Sequence, residues 1–296
     1  MKKSVAWVMY FRNPDNMWFN MLFIVAFLFV MIALWQFISF SQKEGLAILE
    51  EDSSFSFKQG SDGYDDFYAN MVDYFVSPEL CAEQVQTIIQ NTQSSPKSSV
   101  ILDIGSCKGQ ILKEFKNRGY ENVYGIDSHE AMIRNTDITV KDQVVFGDPS
   151  DMMNFDRNLF SHILCLNQSL YDVPDLSVFF QNCRFWLKQS GSLVLHLVQY
   201  HSHNNKLNPI NMQLTPNIQY VQSLEISEET IVIQETFTDQ YSRKVRQQEK
   251  SLNYKDIDYI VNLANYYGFS VYGKAQVSSK IVPDGTREYL YFFILA

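Results

Sequence analysis

The sequence predicts an α/β protein built on a doubly wound, mostly parallel sheet of seven strands, with an antiparallel β insertion and one preceding transmembrane helix. Three observations lead to this prediction. Short apolar runs alternate with helix-like segments from residue 64 to residue 200, as right-handed βαβ units require. Polar and apolar residues alternate across residues 218–254, which is typical of antiparallel strands. The third observation is a long uncharged segment near the N-terminus.

The uncharged segment contains an unbroken apolar run over residues 21–35, MLFIVAFLFVMIALW. A helix over residues 17–40 would be about 35 Å long at roughly 1.5 Å per residue, enough to cross a bilayer core of about 30 Å. Trp18 and Trp35 stand near its two ends, where indole rings favour the membrane interface. We therefore expect residues 17–40 to anchor the chain in a membrane.

The rest of the chain divides into three parts. Residues 1–16 precede the anchor, residues 41–63 are polar as in a linker, and residues 64–296 are expected to form one domain. The whole chain carries a net charge of −9, of which residues 1–42 contribute +2 from three basic residues and one acidic residue, so the remainder carries −11. Such an acidic domain makes nucleic acid an unfavourable partner.

Each element of the domain has its own sequence signal. Ser77 and Pro78 suit the N-cap and first turn of a helix over residues 78–91, and Gly119 ends another over residues 109–118. Further helices are predicted over residues 128–135, 176–188 and 254–267. Strands of the main sheet are predicted over residues 99–104, 122–126, 143–146, 162–166, 192–198, 269–272 and 289–295, with a turn at residues 189–191.

The antiparallel insertion, residues 218–254, is expected to cover the substrate pocket. Its strands are predicted over residues 220–226, 230–238 and 244–253. Lys244, Arg246 and Lys250 form a basic stripe on the last of them, which we interpret as a solvated strand face.

The loop between the first strand and the following helix holds two glycines, Gly105 and Gly109. A glycine loop in this position lets the backbone approach a ligand closely. The G-x-x-x-G spacing disfavours a dinucleotide loop, and because Lys108 precedes Gly109, it does not match a phosphate-binding P-loop either. The carboxylate of Asp103, just before the loop, suits a ligand that carries an ammonium group.

These residues resemble motif I of the class I S-adenosylmethionine-dependent methyltransferases, D/E-x-G-x-G-x-G. Residues 103–109 read DIGSCKG, with Cys107 in place of the middle glycine. Ser161 stands where the family commonly has an aspartate. Further landmarks follow in order over residues 122–127, 145–148, 160–167, 186–194 and 264–269, so the resemblance extends from residue 64 to residue 296.

The resemblance implies S-adenosylmethionine as the cofactor and methyl transfer by in-line displacement. It implies that Asp127 binds the ribose hydroxyls, that Asp148 meets the adenine amino group, and that Tyr68 belongs to a segment closing over the cofactor. The implied cofactor-binding residues are Asp103, Gly105, Ser106, Gly109, Asp127, Ser128, Asp148, Leu166, Asn167 and Tyr68. Tyr171 and His201 are the catalytic candidates, since they follow the fourth and fifth strands, and no metal is expected.

Plainer roles remain open for several of these residues. The two loop glycines also suit a tight turn, and Asp127 also suits an N-cap of the next helix. Asp148 also suits a cap of residues 149–151, where Asp151 competes with it for the adenine. His201 and His203 also suit a polar loop, a base or a metal pair.

A catalytically silent methyltransferase-like module, tethered to a membrane or a viral assembly, is the alternative for the whole chain. Its motivation is the departure from the family pattern at Cys107, Ser161 and Ser190. For an active enzyme, a small molecule, a lipid and a protein all remain open as the methyl acceptor, and the sequence does not indicate an oligomeric state.

The orientation of the anchor follows from two opposing signals. Three basic residues precede the anchor and one directly follows it, which by the positive-inside rule places the N-terminus in the cytoplasm. Four cysteines without CxxC spacing indicate a reducing compartment, and the implied cofactor is cytosolic. We therefore expect the domain to face the cytoplasm.

Overall fold

The computed structural model describes residues 26–32, 54–200, 207–227, 229–279, 282–283 and 286–296. The chain separates into two compact units, Met1–Glu50 and Glu51–Ala296. In the first unit residues 26–32 are helical with exposed side chains. The rest of the predicted anchor at 17–40, together with residues 1–16 and 41–53, lies outside the described residues. Within the described ranges, no helix is both long and apolar enough to cross a membrane.

The second unit contains the predicted seven-stranded sheet, in the order β11-β12-β6-β5-β2-β3-β4. Strands β2 to β6 pair in parallel, and β12 runs antiparallel to both of its neighbours. The strands are β2 (Val100–Ile104), β3 (Asn122–Asp127), β4 (Val144–Phe146), β5 (Phe160–Cys165), β6 (Leu187–Gln199), β11 (Phe269–Val277) and β12 (Arg287–Leu295). The predicted doubly wound, mostly parallel sheet is therefore confirmed.

Six helices of the described chain lie in this unit, and their ends follow from their caps. The helix predicted over residues 78–91 is confirmed, with the Ser77 hydroxyl accepting from the Leu80 amide. The helix predicted to start at residue 254 starts at Ile257, because Asp256 provides the N-cap. The helices are α1 (Asp66–Phe75), α2 (Pro78–Asn91), α3 (Gln110–Asn117), α4 (Glu130–Arg134), α5 (Leu176–Trp186) and α6 (Ile257–Tyr266).

The turn predicted at residues 189–191 is wrong. These residues lie inside β6, where Ser190 has a φ of 60°. The pairing register between β5 and β6 shifts there, from Phe160 opposite Leu187 to His162 opposite Ser192. The extra residues are therefore accommodated as a bulge within one strand.

A second sheet of five strands, which we call the cover sheet, contains the predicted antiparallel insertion. Its order is β1-β10-β9-β8-β7, and β7 to β10 are antiparallel to one another. Its strands are β1 (Phe55–Gln59), β7 (Ile210–Gln213), β8 (Ile218–Ile226), β9 (Thr230–Asp239) and β10 (Val245–Asn253).

Three elements were not predicted from the sequence: β1, β7 and α1. Strand β1 lies in the segment interpreted as a linker, and it pairs in parallel with β10. Residues 55–63 are therefore folded, which corrects the predicted linker over residues 41–63. The polar composition of these residues hid the strand, because its stabilising contacts come from a partner about 190 residues later in the chain.

Two clusters of buried apolar side chains form the core around the main sheet. Trp186, Phe179 and Phe180 of α5 belong to the first cluster, and Phe115 of α3 belongs to the second. The sheet is thus covered by helices, as parallel strands require. All four cysteines are free, and Cys107 alone among them is partly exposed.

Ser161 explains one departure from the family pattern. Its hydroxyl accepts from the Val100 amide at 2.9 Å and donates to the Val100 carbonyl at 3.1 Å, which joins β5 to the start of β2. A single hydroxyl can do both, whereas an ionised aspartate can only accept.

We expect Ser161→Ala to lower the free energy of unfolding by about 1–2 kcal/mol, because two partly buried backbone groups lose their partner. Urea denaturation of the purified chain measures this. Ser270→Ala, an exposed serine of β11, is the control and should stay within about 0.5 kcal/mol of wild type. Equal values for the two variants would contradict the assigned role.

Candidate active site

The glycine loop between β2 and α3 is tied to the neighbouring strand through its backbone. The amides of Gly105 and Ser106 both donate to the carbonyl of Ile126, and the Gly109 amide donates to the Ser106 carbonyl at 2.8 Å. Gly105 and Gly109 have positive φ angles of 74° and 78°. Cys107 also has a positive φ, of 49°, which is a conformation that glycine adopts more easily.

Gly105 is constrained by contact as well as by conformation. A Cβ atom at this position would lie 2.5 Å from Oγ of Ser169, which is closer than real Cβ atoms approach. The connection after β5 therefore packs directly against the glycine loop, and the two loops together line one edge of the sheet.

The carboxylate of Asp127 joins this loop to the next helix. Its Oδ2 accepts from the Cys107 amide at 2.8 Å, and its Oδ1 accepts from the His129 amide at 2.9 Å. The N-cap residue of α4 is His129, so Asp127 does not cap the helix, and α4 is shorter than the predicted 128–135. Asp127 is buried at the end of β3, and its unused lone pairs remain available to a ligand.

Asp103 and Ser106 are buried polar groups that lack protein partners. Within the described residues, no donor reaches the Asp103 carboxylate, and Ser106 Oγ has no hydrogen-bond partner. Burial, and then the charge of Asp127, raise the pKa of Asp103 well above its usual value. Because buried polar groups are normally paired, these two atoms mark a place where a polar ligand completes the site. A cationic ligand group suits it best.

Tyr64, just before α1, forms a cluster with Tyr68 of α1 and Lys250 of the cover sheet, and this cluster contacts His129 and Asp172. The ring of Tyr64 packs 4.0 Å from the ring of His129, and its hydroxyl donates to Asp172 at 3.2 Å. The ammonium of Lys250 donates to the hydroxyls of Tyr64 and Tyr68 at 3.4 and 3.3 Å. Tyr68, one of the expected cofactor-closing residues, is buried on α1 beside Lys250.

The basic stripe on β10 therefore does not form a solvated face, which corrects that interpretation. Lys250 points at the tyrosine hydroxyls, and Arg246 is only 3% exposed. The Arg246 guanidinium donates to Asp65 at 2.7 Å and to the Gly63 carbonyl at 3.0 Å. The alternation of polar and apolar residues correctly predicted the strand β10, but the sequence does not show which face of that strand is buried.

A buried hydrogen-bond network connects the same strands. Glu235 accepts from the Tyr220 hydroxyl at 2.6 Å and from the Gln248 amide group at 2.7 Å. Gln248 in turn accepts from Arg246. The inner face of the cover sheet is therefore polar and internally bonded, and it is attached to the start of α1 through Asp65.

The remaining predicted site residues fall into different surroundings. Ser128 and Asp148 are both exposed. The Asp148 carboxylate accepts from the Ser150 amide and so forms a local turn, and the Asp148 side chain remains accessible to solvent. Leu166 is buried, and Asn167 accepts from the buried Gln84 at 2.9 Å. The glycine loop, Asp127 and Asn167 are brought to the same edge of the sheet, at the ends of β2, β3 and β5.

The two catalytic candidates do not gain support as proton acceptors. The Tyr171 hydroxyl accepts from the Val198 amide at 2.9 Å and is buried, and this burial raises the pKa of Tyr171. Its hydroxyl therefore anchors the connection after β5 to β6. His201, with His203, lies outside the described residues.

Sequence reasoning missed Asp172 and the inward position of Lys250. Asp172 directly follows the candidate Tyr171, and the same argument from the end of the fourth strand would have included it. Nothing in the local sequence could have joined Lys250 to Tyr64, because these residues are far apart in the chain.

Residues 102–195, about a third of the chain, match the family model described as a methyltransferase domain. The chain contains a methyltransferase domain. The match covers the glycine loop, Asp127 and Asp172. The predicted enzyme class, an S-adenosylmethionine-dependent methyltransferase, and its cofactor are therefore confirmed. No curated protein is significantly similar to this chain in sequence.

Solved structures share the fold of this methyltransferase. An S-adenosylmethionine-dependent methyltransferase from Clostridium acetobutylicum has a TM-score of 0.62 at 16% identity, covering 77% of this chain and 98% of its own. The CcbJ methyltransferase from Streptomyces caelestis has a TM-score of 0.65 at 13% identity, covering 80% and 99%. CalS10, an amino pentose methyltransferase from Micromonospora echinaspora solved with S-adenosylmethionine, has a TM-score of 0.57 at 14% identity, covering 78% and 94%.

We expect Gly105→Ala to weaken binding of S-adenosylhomocysteine by more than about tenfold, because the new methyl group displaces Ser169. Isothermal calorimetry measures the affinity. Gly119→Ala is the matched control, since Gly119 also has a positive φ but has open space around its Cβ position. The same loss in both variants would attribute the effect to backbone strain alone.

Proposed function

We propose that this methyltransferase acts on an acceptor bound between the glycine loop and the inner face of the cover sheet. The single observation that carries the proposal is the continuous series of contacts from Cys107 through Asp127, His129 and Tyr64 to Asp172. This series joins the expected cofactor site to Tyr64 and, through the Tyr64 hydroxyl, to Lys250 of the cover sheet.

The residues present fit the cofactor. The donor-free carboxylate of Asp103 suits the ammonium of its methionine part, and the partnerless Ser106 hydroxyl lies in the same loop. In this proposal Asp127 accepts from the ribose hydroxyls and the exposed Asp148 accepts from the adenine amino group, as the resemblance implies. When bound, S-adenosylmethionine supplies a methyl group on a positively charged sulfur, which is transferred by in-line displacement.

The protein's own part in such a reaction is to position the acceptor and to exclude water. Correct positioning contributes on the order of 7–11 kcal/mol to lowering a barrier. The buried network of Glu235, Gln248 and Arg246 stiffens the cover sheet for this task. Lys250, held by two tyrosine hydroxyls, presents a fixed positive charge at the wall of the cleft.

The departures that suggested a catalytically silent module have structural explanations. Ser161 bonds both backbone groups of Val100, and Cys107 adopts the loop conformation while donating its amide to Asp127. Ser190 lies in the bulge of β6. None of the three removes a group that the site needs, so we favour the active enzyme.

We also propose that residues 17–40 anchor the enzyme in a membrane with its domain facing the cytoplasm. The uncharged apolar run over residues 21–35 supports the anchor. Flotation of the full-length chain with lipid vesicles tests the anchor, and protease protection of a C-terminal tag in sealed membranes tests the orientation. Loss of flotation in a variant lacking residues 1–42 is the expected result; unchanged flotation would contradict it.

We expect Asp127→Asn to weaken S-adenosylmethionine binding by about tenfold or more, because a charged acceptor of ribose hydroxyls becomes a neutral amide. Calorimetry with S-adenosylmethionine and S-adenosylhomocysteine measures it. Asp142→Asn, an exposed aspartate after α4, should bind as wild type. Absence of binding to the wild-type chain would overturn the proposed function.

A further inference from the structure

Carboxylates outnumber cations around the cleft. Burial and the charges of Asp127, Asp103 and Asp172 raise the pKa of the Cys107 thiol, whereas Lys250 lowers it, so all four groups act on the same loop atom. Glu235 adds a further carboxylate beside Lys250, at 3.9 Å from its ammonium. Among the described residues, the groups that act on Cys107 or pair with Lys250 are therefore four carboxylates and one lysine, and the further charge of Arg246 is paired with Asp65.

Most of these carboxylates already have a function. Asp127 accepts from two amides, and Asp103 is assigned to the cofactor ammonium in the proposed function. Glu235 accepts from Tyr220 and Gln248 and pairs with Lys250. Asp172 is the remaining carboxylate, and it ends the short turn Ser169–Asp172, whose first residue packs on the glycine loop.

The geometry around Asp172 leaves one of its oxygens open. Its Oδ2 accepts from the Tyr64 hydroxyl, which itself accepts from Lys250. In the described part of the chain, no donor reaches Oδ1. Asp172 is accessible to solvent. The charged and polar side chains near it are Tyr64, Lys250, His129 and Asp127, so we interpret Asp172 as a residue that lines the acceptor site.

We propose that Asp172 binds the amino group of the methyl acceptor and takes a proton from it, so that the acceptor is an amine. This inference rests on the proposed function and specifies its substrate class. An acidic acceptor would instead meet a cleft with an excess of negative charge. Two of the proteins that share the fold are described as an amino pentose methyltransferase and a glycopeptide N-methyltransferase.

The proton moves in one balanced step. An N–H bond of the acceptor ammonium breaks, its proton passes to Oδ1 of Asp172, and its electron pair stays on nitrogen as the lone pair that attacks. Although Asp172 keeps some contact with solvent, the side chains around it partly desolvate its carboxylate, which raises the pKa of Asp172 and makes it a better proton acceptor; Lys250, Tyr64 and His129 oppose the shift. The proton leaves to water when the product departs.

The test uses sinefungin, a cofactor analogue in which an amine-bearing carbon replaces the sulfonium and its methyl group. Its ammonium extends toward the acceptor side, so its affinity reports on Asp172 without knowledge of the acceptor. We expect Asp172→Asn in the full-length chain to weaken sinefungin binding about tenfold while changing S-adenosylhomocysteine binding less than about threefold. Calorimetry measures both ligands.

The matched control is Asp175→Asn, which removes the same charge three residues later but keeps a good N-cap for α5. It should bind both ligands as wild type. Tyr64→Phe removes the donor to Asp172, so the pKa of Asp172 rises further. The pH below which sinefungin binding is lost should therefore move upward.

Each outcome separates this inference from the proposed function. Equal losses for both ligands in Asp172→Asn, or no loss for either, would overturn the role of Asp172 while leaving cofactor binding established. Failure of wild type to bind either ligand would overturn the proposed function, and the amine site with it.

Discussion

The carboxylate of Asp127 is the interaction on which the rest of the cleft depends. It ends β3, receives the Cys107 amide on one oxygen and receives the His129 amide on the other. The glycine loop and the start of α4 are therefore held at fixed positions relative to the sheet. Because the His129 ring packs on Tyr64, the same carboxylate is also connected to Tyr64, whose hydroxyl accepts from Lys250 of the cover sheet.

The sheet topology explains why a ligand site is expected there. Strand β2 has β3 on one side and β5 on the other, so the connections that leave these strands diverge at their carboxyl ends. Ligands of open α/β sheets bind in the crevice at such a point. The cover sheet supplies the opposite wall, and it can be polar inside because Glu235, Gln248 and Arg246 satisfy one another.

Local signals predicted most of the main sheet and its helices. The strand at Val100–Ile104 and the helix at Pro78–Asn91 are set by neighbouring residues, so periodicity and caps were enough to find them. Strand β1 was missed because a distant strand stabilises it. The burial of Arg246 was missed because alternation alone does not say which face of a strand meets the core.

The resemblance to a known family implied the cofactor class, and the sequence by itself determined the doubly wound fold, the glycine loop and the acidic residue that ends β3. Each of these depends on residues close together in the chain, where spacing translates directly into geometry. Only the tertiary structure decided that Tyr171 anchors β6 and that Tyr64 joins Asp172 to Lys250. The contacts of Tyr64 with Asp172 and Lys250 join segments more than 100 residues apart, and the contact of Tyr171 with Val198 joins the connection after β5 to β6, so these side chains meet only once the chain has folded.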